Sequence, residues 1–206
     1  MTKIFICDIY SISQEKLTSF LRDFPFGEEE KSRLLKIKNQ DRQISSLAAL
    51  VALSRLIDCT LPLAIEREQN GKPFFRELPE VSFNLSHSGG IAVAAISDRN
   101  IGVDIEFIRS NIDTEKISKR FFGGLDMSTE EFFKHWTKNE AYSKMLGTPL
   151  AENLSSALPT DIFRQFEITF DDRRGYVCIC SEALKTLNEE VEIFAEKGIL
   201  LKKINP

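Results

Sequence analysis

Apolar positions along the chain change period repeatedly, and the changes mark out the predicted elements. Ile4 to Ile9 reads as an opening strand. Ser13 to Leu21 has an apolar face through Leu17, Phe20 and Leu21, with a helix cap at Ser11 or Ser13. Residues 28–38 are charged and helical in pattern. Asp41 to Ile57 is a strong helix, whose Ile44, Leu47, Leu50, Val51 and Ile57 form a face broad enough to be buried on several sides. Strands follow over Leu63–Arg67, Pro73–Phe75, Val81–Leu85, Ile91–Ile96 and Ile101–Phe107, punctuated by Gly71, Pro79, Gly89-Gly90 and Asp98-Arg99-Asn100. The pattern then restarts. Helices are predicted over Thr114–Phe122 and Ser128–Leu146, and strands near Phe163–Phe170, Tyr176–Cys180 and Val191–Ala195. The implied fold is α+β, with two similar halves meeting face to face, residues 1–105 and 106–206, joined near residues 98–112.

Composition narrows the classes. The 206 residues are 42% hydrophobic, enough for a substantial core. A net charge of −4 argues against a general nucleic-acid binder. Cys7, Cys59, Cys178 and Cys180 form no CxxC pair, and only His87 and His135 could assist them, so a zinc site is not expected. Cys178 and Cys180 alternate with Val177 and Ile179 as one face of a buried strand, as reduced cysteines of a cytosolic protein would. The apolar run Ile4–Cys7 is too short for a signal peptide, and no stretch approaches the ~20 apolar residues of a membrane span. A soluble, cytoplasmic protein with no membrane partner is expected.

Two segments carry acidic chemistry. In a strand over Ile101–Phe107, Asp104 and Glu106 share one face, while Val103 and Ile105 point into a core. By itself that spacing favours an ordinary solvent-facing edge. On the helix ending at Leu146, Trp136, Glu140, Ser143, Lys144 and Gly147 share a stripe. Glu140 and Lys144 alone would be a surface pair of ~0.3–0.5 kcal/mol. Trp136, however, predicts that the stripe faces the protein, where an acid and a lysine need partners. Three hard oxygen donors suit magnesium better than calcium. The segment Phe83-Asn84-Leu85-Ser86-His87-Ser88-Gly89-Gly90 reads as a strand ending in a polar turn, either an ordinary hairpin or a place where hydroxyls, backbone amides and His87 meet an anion. Lys31, Arg33, Lys36, Lys38 and Arg42 form a basic cluster, either solvated surface or an entry funnel for an anionic cofactor.

Gly71-Lys72-Pro73, Phe83 to Ser88, Ile101 to Glu106 and Trp136-x-x-x-Glu140-Ala141-x-x-Lys144 together resemble the 4′-phosphopantetheinyl transferase superfamily, particularly its larger, surfactin-synthetase type. The motifs come in the family's order and cover residues 71–150. The resemblance implies two pseudo-symmetric α+β halves with coenzyme A in the cleft between them, and magnesium held by Asp104, Glu106 and Glu140. It also implies that Lys72, Ser86 and His87 contact the nucleotide end and that Lys144 neutralises the attacked phosphate. The implied reaction moves phosphopantetheine from coenzyme A to a serine of an acyl, peptidyl or aryl carrier protein and releases 3′,5′-ADP. Glu140, a metal-bound water or an acid near Asp126 is the candidate base. The family docks carriers near the segment that is Asp113 to Phe122 here, whose Lys116, Lys119, Arg120, Phe121 and Phe122 suit an acidic partner; one of the two phenylalanines should be buried. A monomer is expected, since both parts of the site lie in one chain. Three positions depart from the pattern. Asn139 stands where lysine precedes the glutamate, Pro149 stands where a second glycine is common, and Ser45 stands near a phosphate-binding arginine, for which Arg42 is the substitute. The alternatives are a catalytically weakened carrier- or coenzyme A-binding relative and a magnesium-dependent phosphoanhydride hydrolase.

Overall fold

The computed structural model describes residues 1–57, 62–124, 126–153, 158–185 and 190–204. Cys59 and Leu125 fall outside them. The fold is mixed α+β. The first strand, β1 (Thr2–Asp8), is followed by helices α1 (Gln14–Arg22), α2 (Gly27–Leu35) and α3 (Gln40–Ser54). Next come β2 (Ile65–Arg67), β3 (Pro73–Phe75), β4 (Ser82–Ser88), β5 (Ile91–Ser97) and β6 (Ile101–Phe107). The chain continues through α4 (Thr114–Phe121), α5 (Thr129–Leu146), α6 (Leu150–Asn153), β7 (Phe163–Phe170), β8 (Arg173–Ser181), β9 (Val191–Ala195) and β10 (Ile199–Ile204).

Local chemistry explains the ends of the helices. Ser13 caps α1 by accepting from the Lys16 N–H, which leaves Ser11 outside the helix. Ser128 and Glu131 form a reciprocal capping box at the start of α5, an arrangement worth about 1 kcal/mol. Gly147 closes α5 at φ 70°, a left-handed conformation in which a side chain would be strained.

The described residues form two four-stranded sheets, ordered β4-β5-β1-β9 and β10-β7-β8-β6, with β2 and β3 as a separate pair. Ile4, Ile6 and Val93 of the first sheet share one apolar core with Val103, Ile105, Ile168 and Ile179 of the second. Helix α3 packs on the far side of the first sheet, where Leu50 and Leu53 meet Phe26, Phe75 and Phe83. Helix α5 packs on the far side of the second, through Ala141 and Met145 against Cys178 and Cys180 and through Phe133 near Tyr176. Strand β9, from late in the chain, pairs in parallel with β1 at the edge of the first sheet. The boundary expected between residues 105 and 106 falls within β6.

The polar run Ser86-His87-Ser88 belongs to β4 rather than to a turn. Ser86 lies opposite Val93, His87 opposite Ala92 and Ser88 opposite Ile91, so the backbone of this run is committed to the sheet. The turn is confined to Gly89 and Gly90, whose φ values of 54° and 84° favour glycine. Trp136 is half-buried rather than enclosed, with its ring stacked on Phe132 at 5.7 Å. No helix among the described residues is long and apolar enough to cross a membrane.

Candidate functional site

Strands β4 and β6 run side by side where the two sheets meet, and their polar faces interlock. The Ser86 hydroxyl donates to Asp104 Oδ1 at 2.8 Å, and the Ser88 hydroxyl donates to Glu106 Oε2 at 2.9 Å. Buried Asn84 accepts the Val103 N–H at 3.0 Å and so ties the two edge strands together. Because side chains alternate along β6, Val103 and Ile105 enter the dry core while Asp104 and Glu106 face this seam.

Helix α5 completes the cluster. Lys144 Nζ lies 2.6 Å from Asp104 Oδ1 and 2.9 Å from Ser86 Oγ. Glu140, one turn earlier on the same stripe, is half-buried and within the field of both strand acids. Loss of hydration, and then the charge of Asp104, hold its carboxyl above the ordinary value. The Glu106 carboxyl is raised by the same two causes in the same order, partly offset by Arg109, whose guanidinium donates to it at 2.8 Å. The His87 imidazole, exposed at the end of β4, is pushed down by lost hydration and by the cations Lys144 and Arg42.

Two adjoining cavities open on this cluster. One, of about 440 Å³, is lined by the Asn70–Pro73 turn, Asn84, Glu140, Ser143, Lys144 and the Gly147–Leu150 segment. The other, of about 240 Å³, is bounded by Arg33, Ser46, Arg67, Asn84, His87 and Lys144. Glu30, only 3% exposed, holds the two arginines, accepting from Arg33 at 2.5 and 2.8 Å and from Arg67 at 3.0 and 3.2 Å. Sequence reasoning placed Arg33 in a basic cluster but missed Arg67 and Glu30, which lie 37 positions apart and carry no local pattern. Asn84 shows no role in the sequence pattern, and only its burial and its bond to Val103 reveal one.

The remaining expected residues are placed as follows. Lys31 sits on α2 beside Glu28 at 3.7 Å, and exposed Arg42 on the first turn of α3; neither lines these two cavities. Lys72 lines the larger cavity, but its ammonium points into the fold. Asp126 is exposed between α4 and α5. Asn139 is buried and donates to the His135 carbonyl at 2.8 Å, while Lys138 lies over the Phe163 ring at 5.9 Å, away from the stripe of Glu140. On α4, Phe122 is buried and Phe121 half-buried, with Lys116, Lys119 and Arg120 exposed beside them.

Among the described residues, no three acid, histidine or cysteine side chains form a ready-made metal cage. The donor chemistry nonetheless fits a hard divalent cation. Asp104 Oδ2 is buried without a hydrogen-bond partner, and the carboxyls of Glu106 and Glu140 are both raised by the charge of Asp104. A cation shared among the three would satisfy the orphaned oxygen and relieve both repulsions.

Fold and site together define an α+β protein whose charged groove combines clustered carboxylates with fixed cations. No protein-family model matches the chain. Among curated proteins it is similar to the 4′-phosphopantetheinyl transferase psf-1 of Bacillus pumilus, at 39% identity over 104 residues, 46% of this chain and 44% of that protein. It is 36% identical to the 4′-phosphopantetheinyl transferase HetI of Nostoc over 111 residues, 46% of this chain and 47% of that protein. It is 32% identical to the 4′-phosphopantetheinyl transferase Sfp of Bacillus subtilis over 99 residues, 43% of each. The aligned region spans about half the length of these relatives. These similarities bear out the resemblance to the 4′-phosphopantetheinyl transferase superfamily.

Proposed function

We propose that this protein transfers the 4′-phosphopantetheine group of coenzyme A to a serine of an acyl, peptidyl or aryl carrier protein. The observation that carries the reading is the cluster of buried Asp104 and Ser86 with half-buried Lys144, with Glu106 and Glu140 inside its field. In the reaction, the carrier serine oxygen forms a bond to the β-phosphorus of coenzyme A. The bond from that phosphorus to the bridging oxygen breaks, 3′,5′-ADP leaves, and the serine proton passes to a base. Such transfers depend on positioning and on neutralising charge that spreads over phosphoryl oxygens.

The chain's residues divide that work. Lys144, which reaches the cavity from α5, neutralises the phosphoryl group under attack. Ser86 steers Lys144 and Asp104 by bonding to both. Arg33, Arg67 and His87 offer donors to the nucleotide end, and Arg42 adds positive potential nearby. Glu140, which lines the larger cavity from α5, is the candidate base, with Asp126 as the other. Asp104, Glu106 and Glu140 would hold magnesium, which when bound supplies charge neutralisation at the pyrophosphate.

The seam between β4 and β6 serves as the cleft between two α+β halves. The exposed cations of α4, beside half-buried Phe121, suit the docking of an acidic carrier. All of these groups come from one chain, which supports a monomer, and three free buried cysteines accord with a reducing, cytoplasmic setting.

The test is mass spectrometry of an apo carrier protein incubated with this protein, coenzyme A and magnesium. The expected result is a gain of one phosphopantetheine that Asp104→Asn abolishes. Release of 3′,5′-ADP with the carrier unmodified would replace the transferase by a hydrolase. Magnesium-indifferent binding of the carrier without modification would leave a non-catalytic relative.

A further inference from the structure

The turn between β2 and β3 reaches the far end of α5, the helix that carries Glu140 and Lys144. Lys72, 8% exposed, donates there to three neutral oxygens: Oδ1 of Asn100, the Ile101 carbonyl at 3.3 Å and the Met145 carbonyl at 2.5 Å. The Asn100 side-chain amide donates to the same Met145 carbonyl at 2.7 Å. Asn70 covers Gly147, where an added Cβ would meet Asn70 Nδ2 at 2.4 Å, and its Oδ1 accepts the Lys72 N–H at 3.0 Å. The last carbonyls of a helix lack intrahelical donors and carry the negative end of its dipole, so a buried cation belongs there.

What Lys72 touches matters more than the cap itself. Ile101 opens β6 on the strand that bears Asp104 and Glu106, and Met145 follows Lys144 on α5. The two elements are in backbone contact beside it: a Cβ on Gly102 would lie 2.0 Å from the Ala141 carbonyl oxygen. An ammonium has three N–H donors, and all three have acceptors here, so none remains for a phosphate.

We propose that Lys72 is a positioning residue, whose ammonium fixes the register of α5 on β6 and thereby sets Glu140 and Lys144 against Asp104 and Glu106. The catalytic consequence rests on the proposed transferase reading; the clasp does not. The experiment compares Lys72→Met and Asn100→Ala with the unaltered protein by hydrogen exchange and by transfer kinetics. In Lys72→Met, amide protection over residues 143–148 is expected to fall about tenfold. The same variant should lose about tenfold in kcat, while KM for coenzyme A stays within about twofold. Lys72→Arg, which keeps a cation at the helix end, should recover part of both losses. Asn100→Ala, which removes one of two donors to Met145, should shift exchange and kcat in the same direction by roughly threefold and serves if Lys72→Met does not fold. A rise in KM of about tenfold or more, with kcat and exchange unchanged, would overturn the proposal and make Lys72 a substrate contact. If the unaltered protein transfers nothing, the functional reading fails while exchange still decides the clasp.

Discussion

On one face of β6, Val103 and Ile105 sit among Ile4, Ile6, Ile168 and Ile179, fully dry. On the other, two residues of the same strand, Asp104 and Glu106, meet Ser86, Ser88, Arg109 and Lys144. The backbone is shared and the pleat alone separates the chemistries. The dry face gains stability from burial without needing partners, whereas each acid on the wet face must be matched by a donor, a cation or a metal. The match is incomplete at Asp104 Oδ2 and in the raised carboxyls of Glu106 and Glu140. Unfinished electrostatics on a rigid strand is how a site prepared for a charged ligand differs from a core.

That contrast can be broken by substitutions on either face. The largest effect is expected from Asp104→Ala, which should lower transfer by about a thousandfold, roughly 4 kcal/mol, by leaving Lys144 without its carboxylate and the proposed ion without one of its three ligands. Unfolding in urea should reveal little loss of stability, because removing Asp104 also removes a buried charge and its orphaned oxygen. Ile105→Ala should do the reverse, costing about 2–5 kcal/mol in urea unfolding while transfer per folded molecule is retained. Ser88→Ala should have a smaller effect, about 1 kcal/mol in either assay, since Arg109 still reaches Glu106.

The smallest effect at neutral pH concerns the thiols. Burial, then the charges of Glu196 and Asp8, push the Cys7 thiol up to about 12 from an ordinary 9.0, and burial also raises Cys178 and Cys180. The unfolded chain releases these protons at lower pH than the folded one, so their contribution to stability is intact below about pH 9 and lost as pH rises toward 12. Denaturation midpoints should therefore fall between pH 9 and the upper limit of the assay, and native protein should resist thiol reagents at pH 8 at these three positions.

Much of this was legible in the sequence because it is local. The bounds of β3, β6, β7 and β9 match the predicted strands, and the helix predicted over Ser128–Leu146 is α5 with its N-cap. Alternation along Ile101–Phe107 separated the two faces of β6 correctly. What escaped was long-range or polar. Ser86-His87-Ser88 read as a turn because the partner of its inward face is an acidic strand, not an apolar layer. Strand β10 escaped because Ile199, Leu201 and Ile204 turn inward at irregular spacing, while exposed Leu200, Lys202 and Lys203 dilute the pattern. The resemblance places Lys72 at the nucleotide end, and nothing near it in sequence announces the carbonyls of Ile101 and Met145 that its ammonium reaches. The Glu30 grip on Arg67 depends on chain folding across 37 positions.

Titration of manganese, as a paramagnetic stand-in for magnesium, into the protein in the presence of coenzyme A probes the shared-ion claim most directly. The account predicts one bound ion per chain, with affinity reduced at least about tenfold by each of Asp104→Asn, Glu106→Gln and Glu140→Gln. Undiminished binding in Glu140→Gln would contradict it, because the helix acid would then have no part in an ion held by the strand.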